Sequence, residues 1–94
     1  MEKTTDRTII TVVGKDTVGI IAKVSAVCAE CNANIVDITQ SVLQDMFVMV
    51  MLTEISELNC SFSEFSDKMK KIDGSEALDI RVMHEDIFNS MHRI

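Results

Sequence analysis

The segment that most limits what this chain can fold into is 46–53, MFVMVMLT, which is apolar at nearly every position. Successive side chains of a strand point to opposite faces, so Phe47, Met49 and Met51 cannot share a face with Val48, Val50 and Leu52. A strand that is apolar on both sides belongs in the interior of a sheet, with cover above and below. The run stops far short of the roughly 20 apolar residues that a membrane-spanning helix needs. Any fold for this chain must therefore build a sheet around this strand and bury both of its faces.

The flanking sequence supplies the neighbours. Residues 7–13 (RTIITVV) are rich in β-branched side chains and read as a first strand, stopped by Gly14. Ile20, Ile21, Val24, Val27, Cys28 and Cys31 recur at helical spacing, an apolar stripe on a helix of about three and a half turns. Thr17, or Asp16 before it, can cap that helix, and Asn32 or Asn34 can supply a left-handed exit. Residues 35–43 alternate as a second strand, with Val36, Ile38 and Val42 on one face and Asp37, Thr39 and Ser41 on the other. Gln44-Asp45 makes a tight hairpin into the apolar strand. After a polar connection over 54–59, Ser61-Phe62-Ser63-Glu64 reads as a capping box for a second helix. Phe62, Phe65, Met69 and Ile72 share one face of it, and Gly74 stops it. Residues 77–83 (ALDIRVM) alternate again, with Leu78, Ile80 and Val82 inward, and 85–91 can form a last short helix carrying Ile87, Phe88 and Met91. Residues 1–6 are polar and read as a frayed end.

The order is β-α-β-β-α-β plus a helical tail. Two helices with one apolar stripe each and four strands pack most simply as helices on one face of an antiparallel sheet. Right-handed crossovers then give an α+β, ferredoxin-like plait with strand order 4-1-3-2. Those helices cover one face of the apolar strand, which leaves the other for the tail helix or a second subunit.

Composition narrows the class. At 94 residues, 47% hydrophobic and 26% charged, the chain is globular, and 1–94 is expected to form one domain. With 15 acidic against 9 basic residues its net charge of −6 repels phosphate backbones, which argues against nucleic acid as a partner. Lys68, Lys70 and Lys71 sit beside Asp67 and Asp73 and read as a solvated helix face. No basic-then-apolar leader opens the chain, and no segment suits a membrane. Three cysteines without a leader point to a cytoplasmic protein with free thiols.

Several chemistries fail on their spacing. Cys28 and Cys31 form a CxxC, but at the end of the first helix the dipole has the wrong sign for a stabilised thiolate, and both continue the apolar stripe. There is no second pair to complete a zinc site. His84 and His92 lie in the tail with no Gly-rich nucleophile turn, and His84 reads as a strand end or helix start beside Glu85 and Asp86. No enzyme, metal or cofactor is expected. The informative stretch is Val13-Gly14-Lys15-Asp16-Thr17-Val18-Gly19-Ile20. It joins a strand to a helix N-terminus, where free N–H groups and the positive dipole end suit a small carboxylate, and Asp16 could hold an ammonium group. Asn34, at the start of the second strand, can donate and accept together. The same residues also serve purely structural ends: Gly14 for a turn, Gly19 for close packing, Asp16 or Thr17 as a cap.

The stretch ITVVGKDTVGIIAKVSAVCAECNANIVDITQSVL resembles the opening half of an ACT domain: a strand, a polar D/N-x-P-G-[IVL] turn, an amphipathic helix, then Gly-x-Asn-Ile and a strand. DMFVMVMLTEI and the Phe-bearing second helix match the family's third strand and second helix, so the resemblance covers 7–84. The ending IFNSMHRI is similar to the tail of small stand-alone prokaryotic ACT proteins, and the first half is similar to the tandem-ACT repressors of glycine cleavage. Val18 stands where Pro is common, Asn32 replaces the Gly at the helix exit, and Gly14 stands where some serine-binding members offer a His. The resemblance implies a non-enzymatic regulatory module that forms a homodimer or higher oligomer. It also implies a small ligand such as an amino acid, held at the dimer interface by the first turn of one subunit and the Asn of the other. Carried over, the site is Gly14, Asp16, Thr17, Val18, Gly19 and Ile20 with Asn34 across the interface. ACT modules usually ride on a larger domain, so a chain this short is expected to act on a separate protein target. The alternative is a ligand-free adaptor that regulates a separate enzyme or transcription regulator.

Overall fold

The computed structural model describes residues 6–15, 19–72 and 78–91. In chain order the elements are β1 (Arg7–Lys15), α1 (Ile20–Cys31), β2 (Asn34–Leu43), β3 (Met46–Glu54), α2 (Phe62–Lys70), β4 (Leu78–His84) and α3 (Glu85–Met91). The strands form one antiparallel sheet ordered β2-β3-β1-β4. That is the expected 4-1-3-2 order of a ferredoxin-like plait, with β3 and β1 in the interior.

The register sorts the strand residues by face. Thr8, Ile10 and Val12 of β1 lie opposite Thr53, Met51 and Met49 of β3, and Ile10 and Val12 also oppose Val82 and Ile80 of β4. This face carries the main core. Ile10, Val12, Met49 and Met51 are fully buried against Ile20, Val24, Cys28 and Cys31 of α1 and Phe65 and Met69 of α2. On the other face Ile9, Thr11 and Val13 oppose Leu52, Val50 and Val48. Helix α3 packs on β1 and β4. Its first residue, Glu85, pairs with Arg7 at 3.5 Å, and Ile9, which shares the Arg7 face, is buried. Toward the hairpin the same face stays partly open, at Val48, Val50 and Met46.

The helix ends follow local chemistry. Ser61 Oγ accepts the Glu64 N–H at 3.1 Å while Glu64 Oε1 accepts the Ser61 N–H at 3.1 Å, the expected capping box. Asn32 ends α1 with φ 63, and the next N–H, of Ala33, donates to the Cys28 carbonyl at 2.8 Å. Asn34 is instead the first residue of β2. The N-terminal end of α1 differs from expectation: its cap residue is Gly19, at φ 84, with no side-chain cap bond. The expected caps, Asp16 and Thr17, lie outside the described residues.

Four further differences have physical causes. Gly14 does not stop β1, which runs on to Lys15, because interior pairing with Phe47 and Leu78 holds it on both sides. In β2 a bulge between Ile35 and Asp37 takes Val36 out of the alternation. Ile35 and Ile38 pack on the core, whereas Val36 is 45% exposed and Val42, past the helical layer, is 71% exposed. Phe62 joins its helix stripe only partly, since it is the first residue of α2 and half exposed. Asp6, expected to fray, is tied by its carbonyl to the Ile55 N–H at 2.9 Å. The remaining expected frayed positions, 1–5, and the stop at Gly74 lie outside the described residues.

Phe65 is the largest fully buried side chain of the core. Phe65→Ala should lower unfolding free energy by about 3–5 kcal/mol, read from the urea midpoint, while Val42→Ala should leave it within about 0.5 kcal/mol.

Candidate functional site

Of the seven residues expected to form the site, Asp16, Thr17 and Val18 lie outside the described residues. Gly19 is exposed and caps α1, and its carbonyl accepts the Lys23 N–H at 3.0 Å, the first bond of the helix. Ile20 is buried in the core, so only its backbone N–H is available to a ligand. Gly14 is buried within β1. Asn34 is exposed and opens β2 opposite Glu54.

The register separates these groups. Gly14 pairs with Phe47 near the β2–β3 hairpin, whereas Asn34 pairs with Glu54, which in turn pairs with Arg7. From Arg7 to Gly14 along β1 the strand advances by roughly 23 Å. The structure brings Gly14, Gly19 and Ile20 to one end of the sheet and leaves Asn34 at the other. Helix α1 spans that gap, starting at the turn and ending just before Asn34. No ligand the size of an amino acid can touch both ends within one chain.

The turn end also carries apolar surface that the sequence reading passed over. Val42 and Leu43 are 71% and 70% exposed, and Met46, across from both Leu43 and Lys15, is also exposed. Strand β2 is an edge strand, exposed along most of its length. The signal was present in VLQDMF, where apolar residues flank a two-residue turn too tightly to fold back on the core. Lys15 and Asp45 form an exposed ion pair at 3.5 Å beside it.

Other candidate chemistries are resolved by burial and bonding. Cys28 and Cys31 are buried, and burial pushes both thiols from an ordinary 9.0 up to about 11. The neighbouring Cys60 adds to the shift at Cys31. Both therefore rest as protonated thiols at neutral pH, as core packing requires, and neither is a standing thiolate. His84 Nδ1 accepts the Asp86 N–H at 3.1 Å and so starts α3. Among the described residues no three His, Cys, Asp or Glu side chains are grouped to hold a metal ion, and no helix is long and apolar enough to cross a membrane. A groove of about 400 Å³ lies along the opposite edge of the sheet, lined by Lys70, Asp79, Ile80, Arg81, Val82 and Met83. Its Asp79 end lies beside Val13, next to Gly14, and Arg81 in it is already engaged by Asp79 at 3.2 Å.

The plait recurs in known proteins. The ACT domain family profile matches residues 6–83. This chain belongs to the ACT domain family. The UPF0237 protein of Methanopyrus kandleri is 44% identical over 88 residues, covering 94% of this chain and 98% of that protein. The solved ACT domain protein of Streptococcus pneumoniae superposes with a TM-score of 0.75 at 34% identity, over 90% of this chain and 96% of that one. A structure described as that of a "putative glycine cleavage system transcriptional repressor" shares the fold with a TM-score of 0.64 at 22% identity, covering 87% of this chain and 47% of its own.

Two expectations follow for this ACT domain. A Cβ at Gly19 would meet nothing within 4 Å, so Gly19→Ala tests the φ of 84 alone; it should cost about 1–2 kcal/mol in chemical unfolding. The raised thiols mean that the native state keeps protons which the unfolded chain releases, so their contribution is complete below pH 9 and is lost as pH rises to about 11. Urea midpoints should therefore fall over that range, and fall less steeply in a Cys28→Val, Cys31→Val double variant.

Proposed function

We propose that this ACT domain is a non-enzymatic regulator in which two copies pair side by side through β2 and hold a small ligand, an amino acid, where each turn meets the partner's Asn34. One observation carries this reading: the turn and Asn34 stand at opposite ends of one sheet, with an unpaired edge strand between the ends. Antiparallel pairing of two β2 edges about a two-fold axis reverses one sheet against the other. The Asn34 end of one copy then meets the turn end of its partner, twice over, giving two equivalent sites.

The chemistry at such a site is complementary. Backbone N–H groups at the start of α1, with the positive end of its dipole, take the carboxylate. The Asn34 amide offers a donor and an acceptor to the ligand's other polar groups. Asp16 is assigned to the ammonium group. A ligand that bridges two copies tightens their association, and by linkage the assembly state tightens the ligand. A separate protein target, in the cytoplasm, reads that change. The fold shared with a described transcriptional repressor supports a regulatory reading, and the exposed Val36, Val42 and Leu43 on the β2 edge and hairpin support the pairing.

Sedimentation equilibrium at micromolar concentration should give twice the chain mass, and Leu43→Lys should shift it toward the monomer. Calorimetric titration with the twenty amino acids should find at least one binder, weakened about tenfold by Asn34→Ala, the loss of one polar contact. A monomeric wild type overturns the shared site. A dimer that binds none of them leaves the alternative, an adaptor whose work is pairing with an enzyme or regulator.

A further inference from the structure

The proposed ligand site makes no use of the three cysteines. Cys28 and Cys31 occupy the last turn of α1 and are buried, while Cys60, partly exposed, ends the loop that leads into α2. That loop is clamped to the end of α1. The Asn59 N–H donates to the Cys31 carbonyl at 3.0 Å, Asn59 Nδ2 donates to the Glu30 carbonyl at 2.9 Å, and Asn32 Nδ2 donates to the Glu57 carbonyl at 2.9 Å. From α2, Lys68 pairs with Glu30 at 3.5 Å. These ties hold the backbone beside Cys60 against that of Cys31, and the Cys60 side chain packs against the core cluster that contains Cys31. We propose that Cys31 and Cys60 are an oxidant-responsive pair that closes to a disulfide across this clamp.

The obvious rival, Cys28 with Cys31, has the wrong geometry. Residues three apart on a helix have Cβ atoms about 5–6 Å apart, whereas a disulfide needs about 3.5–4.5 Å. Joining them would unwind the last turn of α1, along with the Asn32 exit. Cys60 approaches on a separate segment and imposes no such cost.

The exposure order assigns the roles. Cys60 meets a peroxide first. Its thiolate sulfur attacks one peroxide oxygen, the O–O bond breaks, and the departing hydroxide takes up the thiol proton, leaving a sulfenic acid and one water. The Cys31 sulfur then attacks the Cys60 sulfur, its proton passes to the leaving hydroxyl, the S–O bond breaks and a second water departs. Two thiols are oxidised and one peroxide is reduced. Burial keeps Cys31 protonated, which prevents it from reacting ahead of Cys60. The bond would fasten the end of α1, from which Asn34 emerges, to the entry of α2.

The test uses the whole chain treated with hydrogen peroxide. Mass measurement without reductant should show the loss of two hydrogens, and peptide mapping should recover a Cys31–Cys60 cross-link within one chain. The melting midpoint should rise by about 10 °C or more, as expected for closing a loop of this size, and return on adding dithiothreitol. Cys60→Ser should abolish both changes, and Cys28→Ala should retain them. Peroxide treatment that gives only over-oxidised Cys60, a Cys28–Cys31 link or a cross-link between chains overturns the proposal. None of these outcomes bears on the amino-acid titration, so this inference and the ligand reading fail separately.

Discussion

Strand β3 has to be buried on two sides, and the fold supplies two unequal covers. On one side Met49 and Met51 pack, fully buried, under α1 and α2. On the other, α3 reaches only the end near Arg7 and Ile9, and Val48 and Val50 keep partial exposure. The unbranched methionines suit the crowded side, where their flexible side chains fit among residues of α1 and α2. The β-branched valines suit the side with no helix above most of it, where a flat pleated surface is what remains. The choice of side chains along one strand thus records which face receives the thicker layer.

The plait was legible in the sequence because each element's period agreed with its neighbours. Six segments alternating between periods of two and three to four admit few arrangements that bury one stripe per helix. What escaped was local. The bulge at Val36 leaves no mark in a single sequence, since the alternation through Val36, Ile38 and Val42 is regular on paper. It arises because both Ile35 and Ile38 gain cover from the core, and only an inserted residue lets positions three apart share a face. Gly14 was misread for a related reason. A glycine punctuates an isolated strand, but pairing on both sides with Phe47 and Leu78 outweighs its backbone entropy. The first helix cap was likewise assigned to a polar side chain, where the structure uses the left-handed backbone of Gly19.

The candidate residues are close in sequence and apart in the fold. They read as a turn followed by an Asn at the next strand, joined by one helix. That helix carries the chain from one end of the sheet to the other, so the join is also the separation. Only the register shows this, because Gly14 and Asn34 meet β3 at its two ends. Under the proposed function such a separation would be bridged by reversing a second copy, which ties the question of oligomeric state to that of ligand chemistry.

The edge strand bears on how such a pair would align. Edges are commonly blunted by charge, proline or bulges, and β2 has its bulge near Val36, at the Asn34 end. From Asp37 to Leu43 it runs regularly against β3, a flat edge open to a partner. A two-fold axis through the middle of that flat part falls at Gln40. Gln40 would then face its own copy, Asp37 would face Leu43 of the other chain, and no two carboxylates would be opposed. An axis at Asp37 itself would set Asp37 against Asp37, a like-charge contact that destabilises strand pairing. Centring on Gln40 also carries Asn34 past the partner's hairpin, toward the turn that precedes α1. The register centred on Gln40 meets both requirements, opposing no like charges and bringing Asn34 toward the partner's turn.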